Sequence, residues 1–183
     1  MLIQPPMYHL KMQLSPNLGL AYIAAVLERD GFEVQVVDAA AENIDFDGII
    51  VRVRDFSPAV IACGGQTPVS SRSLIIFKRT KQEVSSQIVT VAGGPHFSFT
   101  DRESLENCSE LDIVIRGEAE ETMNELCSRV QAEEPLEGML GITWRGVEGQ
   151  IIRNPDRPPI NDLDSIPFPA WHLFPVEKYH WVE

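Results

Sequence analysis

The sequence predicts an α/β protein in which five parallel strands form a doubly wound sheet with helices on both faces. Apolar segments of strand length alternate with segments of helical periodicity along residues 1–134. These apolar segments lack the polar alternation of half-exposed strands, and several end in a glycine-containing turn. Such alternation is typical of βαβ units with right-handed crossovers. We therefore expect a flavodoxin-like (Rossmann-like) sheet with strand order 2-1-3-4-5.

The first unit places one helix between two strands. MLI predicts a short first strand, and FEVQVVD predicts a second strand that finishes at Asp38. Between them, apolar residues at helical spacing predict a helix that starts at Leu18 and ends at an Asp-Gly pair. The face expected to be buried consists of Leu18, Tyr22, Ala25 and Val26.

Three further strands and their helices complete the predicted sheet. The strands are AVIACGG, QIVTVAGG and LDIVIRG, which are apolar enough to be buried on both faces. Helices are predicted in DFDGIIVRVRDFSP, SSRSLIIFKRTKQEV, TDRESLENC and EAEETMNELCSRVQAE. The last helix carries its apolar residues on one side, at Met123, Leu126, Cys127 and Val130.

The sequence changes character after residue 134, which predicts three parts. Residues 1–134 form the sheet domain, and two alternating segments around GVEG predict a β-hairpin within residues 135–154. Residues 155–183 are rich in proline and predict an extended arm or linker. Two placements of this arm stay open: it folds back on the sheet, or it leads to a further domain.

Charge and cysteine content exclude several classes of protein. The net charge of −12 and the pI of about 4.7 disfavour non-specific binding to nucleic acids and to anionic membranes. No apolar run approaches the roughly 20 residues that cross a bilayer, and the N-terminus lacks the pattern of a signal peptide. Three widely spaced cysteines indicate neither a disulfide framework nor a zinc site, so we expect a reducing, cytoplasmic setting.

Two Gly-Gly pairs directly follow apolar strands, in VIACGGQTPVSS and in VTVAGGPH. In an open parallel sheet, ligands bind outside the carboxyl ends of the strands, where the strand order reverses. Glycine lets the backbone approach a ligand closely, and Ser or Thr at the next helix start can cap the helix or contact a phosphate. The sequence therefore indicates a ligand site at this edge, with a simple tight-turn role as the alternative.

The common nucleotide fingerprints are missing from this edge. The sequence contains neither G-x-G-x-x-G after the first strand nor G-x-x-x-x-G-K-[ST] at any point. The segment after the first strand, QPPMYHLKMQLSPN, is a poor match to a flavin phosphate loop. Neither the first nor the third strand ends in the acidic cluster of a response-regulator receiver.

Five segments in order resemble the N-terminal cobalamin-binding domain of B12-dependent radical SAM proteins. They are QPP, PNLGLAYIAAVLERDGFEVQVVDA, GGPH, DIVIRGEAEET and INDLDSIPFP, and together they span nearly the whole chain. The family includes the anaerobic magnesium-protoporphyrin monomethyl ester oxidative cyclase and various methyltransferases. The resemblance implies that a corrin lies over the carboxyl edge of the sheet. Its benzimidazole tail, displaced from cobalt, then inserts between the sheet and the helices.

The resemblance also implies which residues bind the cofactor. They lie at the ends of the third, fourth and fifth strands, where small residues leave room for the nucleotide tail. The expected cofactor-binding residues are Cys63, Gly64, Gly65, Thr67, Ser70, Gly93, Gly94, Pro95, His96, Gly117 and Glu118.

Three of these residues have an alternative role. Ser70 offers a hydroxyl to the tail or caps its helix, and His96 contacts corrin side chains or packs within its loop. Glu118 lies near the corrin or a partner domain, or it simply favours the dipole of the following helix.

A histidine axial ligand to cobalt is not expected. Many B12 proteins carry Asp-x-His-x-x-Gly after the first strand, and aligning Gly19 with the motif's glycine puts Pro16 at the histidine position. The resemblance therefore implies a corrinoid bound base-off without a histidine ligand. His9 is a weaker candidate ligand in the same loop.

The resemblance implies that this chain is one domain of a larger enzyme. The Cys-x-x-x-Cys-x-x-Cys motif that holds a [4Fe–4S] cluster in radical SAM proteins is not in this sequence. The cluster and S-adenosylmethionine are expected in a C-terminal domain, and this part alone is expected to be inactive. The parent reaction would be methyl transfer or anaerobic oxidative cyclisation of a porphyrin-type substrate. Alternatives are a flavodoxin-like binding or regulatory domain for another ligand or protein partner, or a small enzyme using the carboxylates of residues 118–121.

Overall fold

One sheet of seven strands organises the computed structural model, which describes residues 1–7 and 15–179. The order is β2-β1-β3-β4-β5-β6-β7, so the predicted parallel order 2-1-3-4-5 is confirmed. The five predicted parallel strands and the predicted hairpin are all present, and the hairpin extends the same sheet: β6 pairs antiparallel with β5, and β7 with β6. The strands are β1 (Leu2–Gln4), β2 (Val36–Asp38), β3 (Val60–Gly64), β4 (Val89–Gly93), β5 (Ile113–Ile115), β6 (Ile142–Arg145) and β7 (Ile151–Arg153).

Helices cover both faces of this sheet. One apolar cluster packs beneath α1 and α7, and the other packs beneath α3, α4, α5 and α6. Neighbouring strand residues alternate between the clusters, as with Leu2 and Ile3, so both faces are buried even though side chains alternate. The helices are α1 (Leu18–Arg29), α2 (Ala39–Glu42), α3 (Phe46–Phe56), α4 (Thr67–Glu83), α5 (Pro95–Phe99), α6 (Asp101–Asn107) and α7 (Glu120–Ala132).

The buried face of α1 differs from the predicted one. Ala25 and Val26 are buried as expected, but Leu18 is 51% exposed and Tyr22 is only half-buried. The other buried residues of the helix are Leu20, Ala21, Ala24 and Leu27, so alanines make up half of its buried face. Their size lets α7 and the C-terminal arm approach the helix closely. By contrast, the predicted face of α7 is confirmed, with all four of its apolar residues packed in or against one cluster.

A buried arginine ties the hairpin to β5. Arg116, only 5% exposed, donates hydrogen bonds to the Asp156 carboxylate at 2.7 Å and to the Asn154 carbonyl at 2.6 Å. It also donates to the hydroxyl of Thr143 on β6. Asp101 accepts from Thr143 and, at 3.0 Å, from Arg153. A charge this deeply buried requires such partners, so this network fixes the hairpin against the sheet.

The proline-rich arm folds back, and it packs on α1. Within residues 155–179 it forms three short 3₁₀ turns, consistent with the prediction that it contains no packed α-helix. The backbone N–H of Ala170 donates to the carbonyl of Ala21 at 3.0 Å, and Phe174 is 5% exposed within the cluster beneath α1. In residues 1–7 and 15–179, no helix combines the length and the apolar character needed to cross a membrane.

The arm should contribute measurably to stability through Phe174. Phe174→Ala removes a buried ring and should lower the free energy of unfolding by about 3 kcal/mol. Phe168→Ala is the matched control, because Phe168 lies on the same arm and is 94% exposed. Urea unfolding followed by circular dichroism measures both. Equal effects of the two substitutions would show that the arm does not pack on α1.

Because of the hairpin network, the free energy of unfolding should fall at acid pH. Although burial acts to raise it, hydrogen bonds from Thr143 and Arg153 hold the pKa of Asp101 below its usual value. The stabilisation is therefore complete above the unfolded pKa of about 4 and is lost as pH falls through the lower folded value.

Asp101→Asn tests this dependence. At pH 7 it should lower the free energy of unfolding by roughly 1–3 kcal/mol, and the difference from the unsubstituted chain should shrink towards pH 2. Glu148→Gln, at the exposed hairpin tip, is the control. Urea unfolding at pH 7, 5 and 3 measures the trend, and a difference independent of pH would contradict the assignment.

Candidate functional site

The carboxyl ends of β1–β4 form the edge at which the sequence predicts a ligand. Gln4 lies opposite Asp38 at the ends of β1 and β2, and Gly64 lies opposite Gly93 at the ends of β3 and β4. The strand order reverses between β1 and β3 at this edge. The predicted loop after β1 is described only in part, and His9 lies outside the described residues.

The second glycine of each Gly-Gly pair brings two turns into backbone contact. Gly65 donates its N–H to the carbonyl of Gly93 at 3.0 Å and accepts the N–H of His96 at 3.2 Å. Gly94 has φ +89°, and a Cβ there would lie 3.2 Å from backbone atoms of Gly65. A Cβ on Gly65 would lie 2.9 Å from the buried ring of Phe97. Packing between the turns thus accounts for Gly65 and Gly94.

The described residues leave open space beside the first glycine of each pair. A Cβ on Gly64 would have no described heavy atom within 4 Å, and a Cβ on Gly93 would meet only the carbonyl oxygen of Ile115, at 3.9 Å. Neither residue is fully buried, so the edge between them is accessible to a ligand. The space beside these two adjacent glycines could accommodate a bulky ligand at this edge.

A shallow groove beside the glycine turns is lined by both following helix starts. His96 Nδ1 lies 3.2 Å from the hydroxyl of Thr67, which joins the start of α5 to the start of α4. The His96 ring also contacts Phe97 edge-on, at 5.1 Å between ring centroids. The remaining lining residues are Gln66, Pro68, Pro95, Phe99 and Thr100. The structure therefore brings together three predicted site residues, Thr67, Pro95 and His96.

The side chains of two other predicted residues are buried within the protein. Cys63 is 1% exposed within the cluster beneath α3 and α4, and burial strongly raises the pKa of its thiol. Ser70 is buried and donates to the carbonyl of Thr67 at 3.0 Å, so its hydroxyl serves the first turn of α4. Cys63 therefore presents only its backbone to the edge.

Gly117 and Glu118 lie at the end of β5. Gly117 has φ +73° and donates its N–H to the hydroxyl of Ser98 at 3.3 Å. The carboxylate of Glu118 accepts the backbone N–H of Ile160 at 2.6 Å. Glu118 thus contacts the arm, a partner that the sequence did not indicate.

Sequence reasoning missed two pairs at the same edge. The Asn17 amide donates to the Gln4 side chain at 2.6 Å, and the Tyr179 hydroxyl donates to Asp38 at 2.8 Å. Gln4 and Asp38 are polar residues that end otherwise apolar strands, and this pattern could have indicated their roles at the edge. No group of three or more His, Cys, Asp or Glu residues within 1–7 and 15–179 is arranged to hold a metal ion.

The sheet order, the glycine turns and the groove at the carboxyl edge define a small-molecule-binding α/β domain. The family model of the B12 binding domain matches residues 13–127, and the chain belongs to this B12 binding domain family. The predicted family is thereby confirmed, as is cobalamin as the cofactor of the family's domain.

Relatives of this chain are methyltransferases and cyclases. It is 32% identical over 164 residues to an uncharacterized methyltransferase of Pyrococcus horikoshii, a match covering 90% of this chain and 35% of the relative. It is 31% identical over 174 residues to the anaerobic magnesium-protoporphyrin IX monomethyl ester cyclase of Rubrivivax gelatinosus, covering 91% and 30%. The chain therefore spans about a third of the length of these relatives.

Solved structures with the same fold are cobalamin-dependent enzymes. OxsB, a cobalamin-dependent S-adenosylmethionine radical enzyme with aqua-cobalamin and S-adenosylmethionine bound, matches with a TM-score of 0.80 at 18% identity. The match covers 92% of this chain and 23% of OxsB. The radical S-adenosylmethionine methyltransferase TsrM of Kitasatospora setae, with cobalamin and a [4Fe–4S] cluster bound, matches with a TM-score of 0.72 at 18% identity, covering 91% and 30%. At this identity the matches show the fold.

The four glycines should differ in their tolerance of a side chain. Gly94→Ala should lower the free energy of unfolding by about 1–3 kcal/mol, because φ is positive and Gly65 is close. Gly64→Ala should change it by less than about 0.5 kcal/mol, because its Cβ would enter open space. Thermal and urea unfolding of the two variants measure this difference. A destabilising Gly64→Ala would mean that the space at this position is not open.

Proposed function

We propose that this chain is the cobalamin-binding domain of a B12-dependent radical SAM enzyme, with the corrin over the carboxyl edge of the sheet. The observation that carries the proposal is the open space at Gly64 and Gly93, side by side at the end of β3 and β4. A Cβ at either position would enter that space. Family membership supplies the identity of the ligand.

The residues around the open space fit a corrinoid with a detached nucleotide tail. Gly64 and Gly93 would admit the tail to the sheet edge, while Thr67 and His96 present a hydroxyl and an imidazole in the adjoining groove. Amide and phosphate groups of the cofactor require such polar partners among otherwise apolar walls. In this role the protein binds and orients the cofactor and excludes water, whereas the cobalt chemistry is supplied by cobalamin.

The corrinoid is proposed to bind base-off and without a histidine ligand from this chain. Pro16 stands at the histidine position of the usual motif, and the described residues of the loop after β1, 5–7 and 15–17, contain no histidine. His9 lies outside the described residues and is the competing candidate.

The parent enzyme is proposed to catalyse methyl transfer or anaerobic oxidative cyclisation, in the cytoplasm. The greater length of the relatives supports a partner domain in the same chain that holds a [4Fe–4S] cluster and S-adenosylmethionine. The proposed division remains residues 1–134, 135–154 and 155–183. This portion alone carries no radical chemistry.

Anaerobic titration with hydroxocobalamin and with cob(II)alamin tests the proposal. The cofactor should coelute with the protein in gel filtration and show a base-off visible spectrum. A base-on spectrum, or a histidine-ligated cob(II) signal in electron paramagnetic resonance, would contradict the proposed axial state. No binding by this chain or by a longer chain that includes it would refute cobalamin binding.

Gly64→Leu should abolish or greatly weaken the binding of hydroxocobalamin, since the side chain would fill the open space. Ser86→Leu is the control, because Ser86 is exposed and precedes β4 at the opposite edge of the sheet. Unfolding curves for both variants separate loss of binding from loss of fold. Unchanged affinity of a folded Gly64→Leu variant would place the ligand elsewhere.

A further inference from the structure

Tyr179 connects the arm to the carboxyl edge of the sheet. Its hydroxyl donates to Asp38 Oδ2 at 2.8 Å, and Asp38 is the last residue of β2. We propose that Tyr179, held by Asp38, forms the border of the corrinoid site on the side of β2, so that the arm is part of that site. This inference rests on the function proposed above.

Both oxygens of the Asp38 carboxylate accept hydrogen bonds from within the protein. Asp38 is 2% exposed, and its Oδ1 accepts the N–H of Ala41 at 3.0 Å while its Oδ2 accepts from Tyr179. A buried carboxylate needs partners for both oxygens, so the hydroxyl of Tyr179 satisfies a group that would otherwise be costly to bury. The bond therefore fixes where the ring of Tyr179 lies.

Tyr179 lies beside the end of β2, close enough to contact a corrin bound over the neighbouring strand ends. Asp38 lies opposite Gln4, and the strand order reverses beside β1. Neighbouring strands are about 4.8 Å apart, so the end of β2 lies roughly one strand spacing from β1. A corrin with its amide side chains is wider than two such spacings. A corrin centred over β1 and β3 would therefore extend over the end of β2.

The arm holds Tyr179 in place through its own contacts with α1. Ala170 is hydrogen-bonded to Ala21, Phe174 is buried beneath α1, and Arg29 donates to the carbonyl of Ser165 at 3.4 Å. The ring of Tyr179 is half-buried and packs against the same apolar cluster. A wall held by contacts within the protein needs little further ordering when a ligand binds, which favours affinity.

The phenol of Tyr179 stays neutral in this position. Burial and the hydrogen bond to Asp38 both raise the pKa of Tyr179 well above its usual value. The hydroxyl therefore remains a hydrogen-bond donor throughout the physiological range of pH.

Affinity measurements on the full 183-residue chain test the inference. Tyr179→Ala should weaken the binding of hydroxocobalamin by about tenfold, as truncation of an aromatic contact residue does, and Tyr179→Phe by less. His172→Ala is the control, because it removes an arm contact with Glu28 on α1 and leaves the edge unchanged. Unfolding midpoints identify any variant that has lost its fold.

Limited trypsin digestion provides a second readout. Lys178 is exposed and adjacent to Tyr179, so bound hydroxocobalamin should slow cleavage after Lys178 several-fold. If the unsubstituted chain binds the cofactor but folded Tyr179→Ala binds equally well and cleavage is not slowed, the inference is wrong and the proposed function stands. If neither the unsubstituted chain nor a longer chain that includes it binds, the proposed function itself fails.

Discussion

Backbone contact between two neighbouring turns determines the shape of the carboxyl edge. Gly65 donates to Gly93 and accepts from His96, which holds the starts of α4 and α5 side by side. A side chain on either Gly65 or Gly94 would separate these turns. Between these turns, the described residues leave space beside the strand ends at Gly64 and Gly93. The proposed ligand space and the neighbouring groove both follow from this single contact.

Patterns local to one segment predicted the sheet correctly. The apolar runs of β3 and β4 and the one-sided face of α7 were visible in the sequence, and the alternation of elements gave the strand order. The face of α1 was predicted only in part: Ala25 and Val26 are buried, but burial also includes alanines such as Ala21, and alanine is a weak hydrophobic signal. The joining of the hairpin to β5 depends on Arg116 and its distant partners, which no local pattern reveals.

The sequence predicted where the site lies, but not which of its glycines pack between the turns and which leave space for a ligand. The Gly-Gly pairs marked the edge, but only φ values and neighbouring atoms distinguish the packed Gly65 and Gly94 from the open Gly64 and Gly93. The contact between Asp38 and Tyr179 joins residues 141 positions apart in the chain. Prolines remove any periodicity from the arm, so the sequence leaves open whether it folds back on the sheet or leads to a further domain, and does not indicate α1 as its partner.

The network around Arg116 has a consequence for the order of folding during synthesis. Arg116 is made before Thr143, Asn154 and Asp156, the groups that its buried guanidinium contacts. Until those residues have left the ribosome, burying the guanidinium would leave its charge without these partners, which is costly. The parallel strands can therefore assemble first, whereas burial of the Arg116 guanidinium at the end of β5 becomes favourable only once the hairpin and Asp156 are present. Completion of the ligand edge is in this way coupled to translation of at least the first residues of the arm.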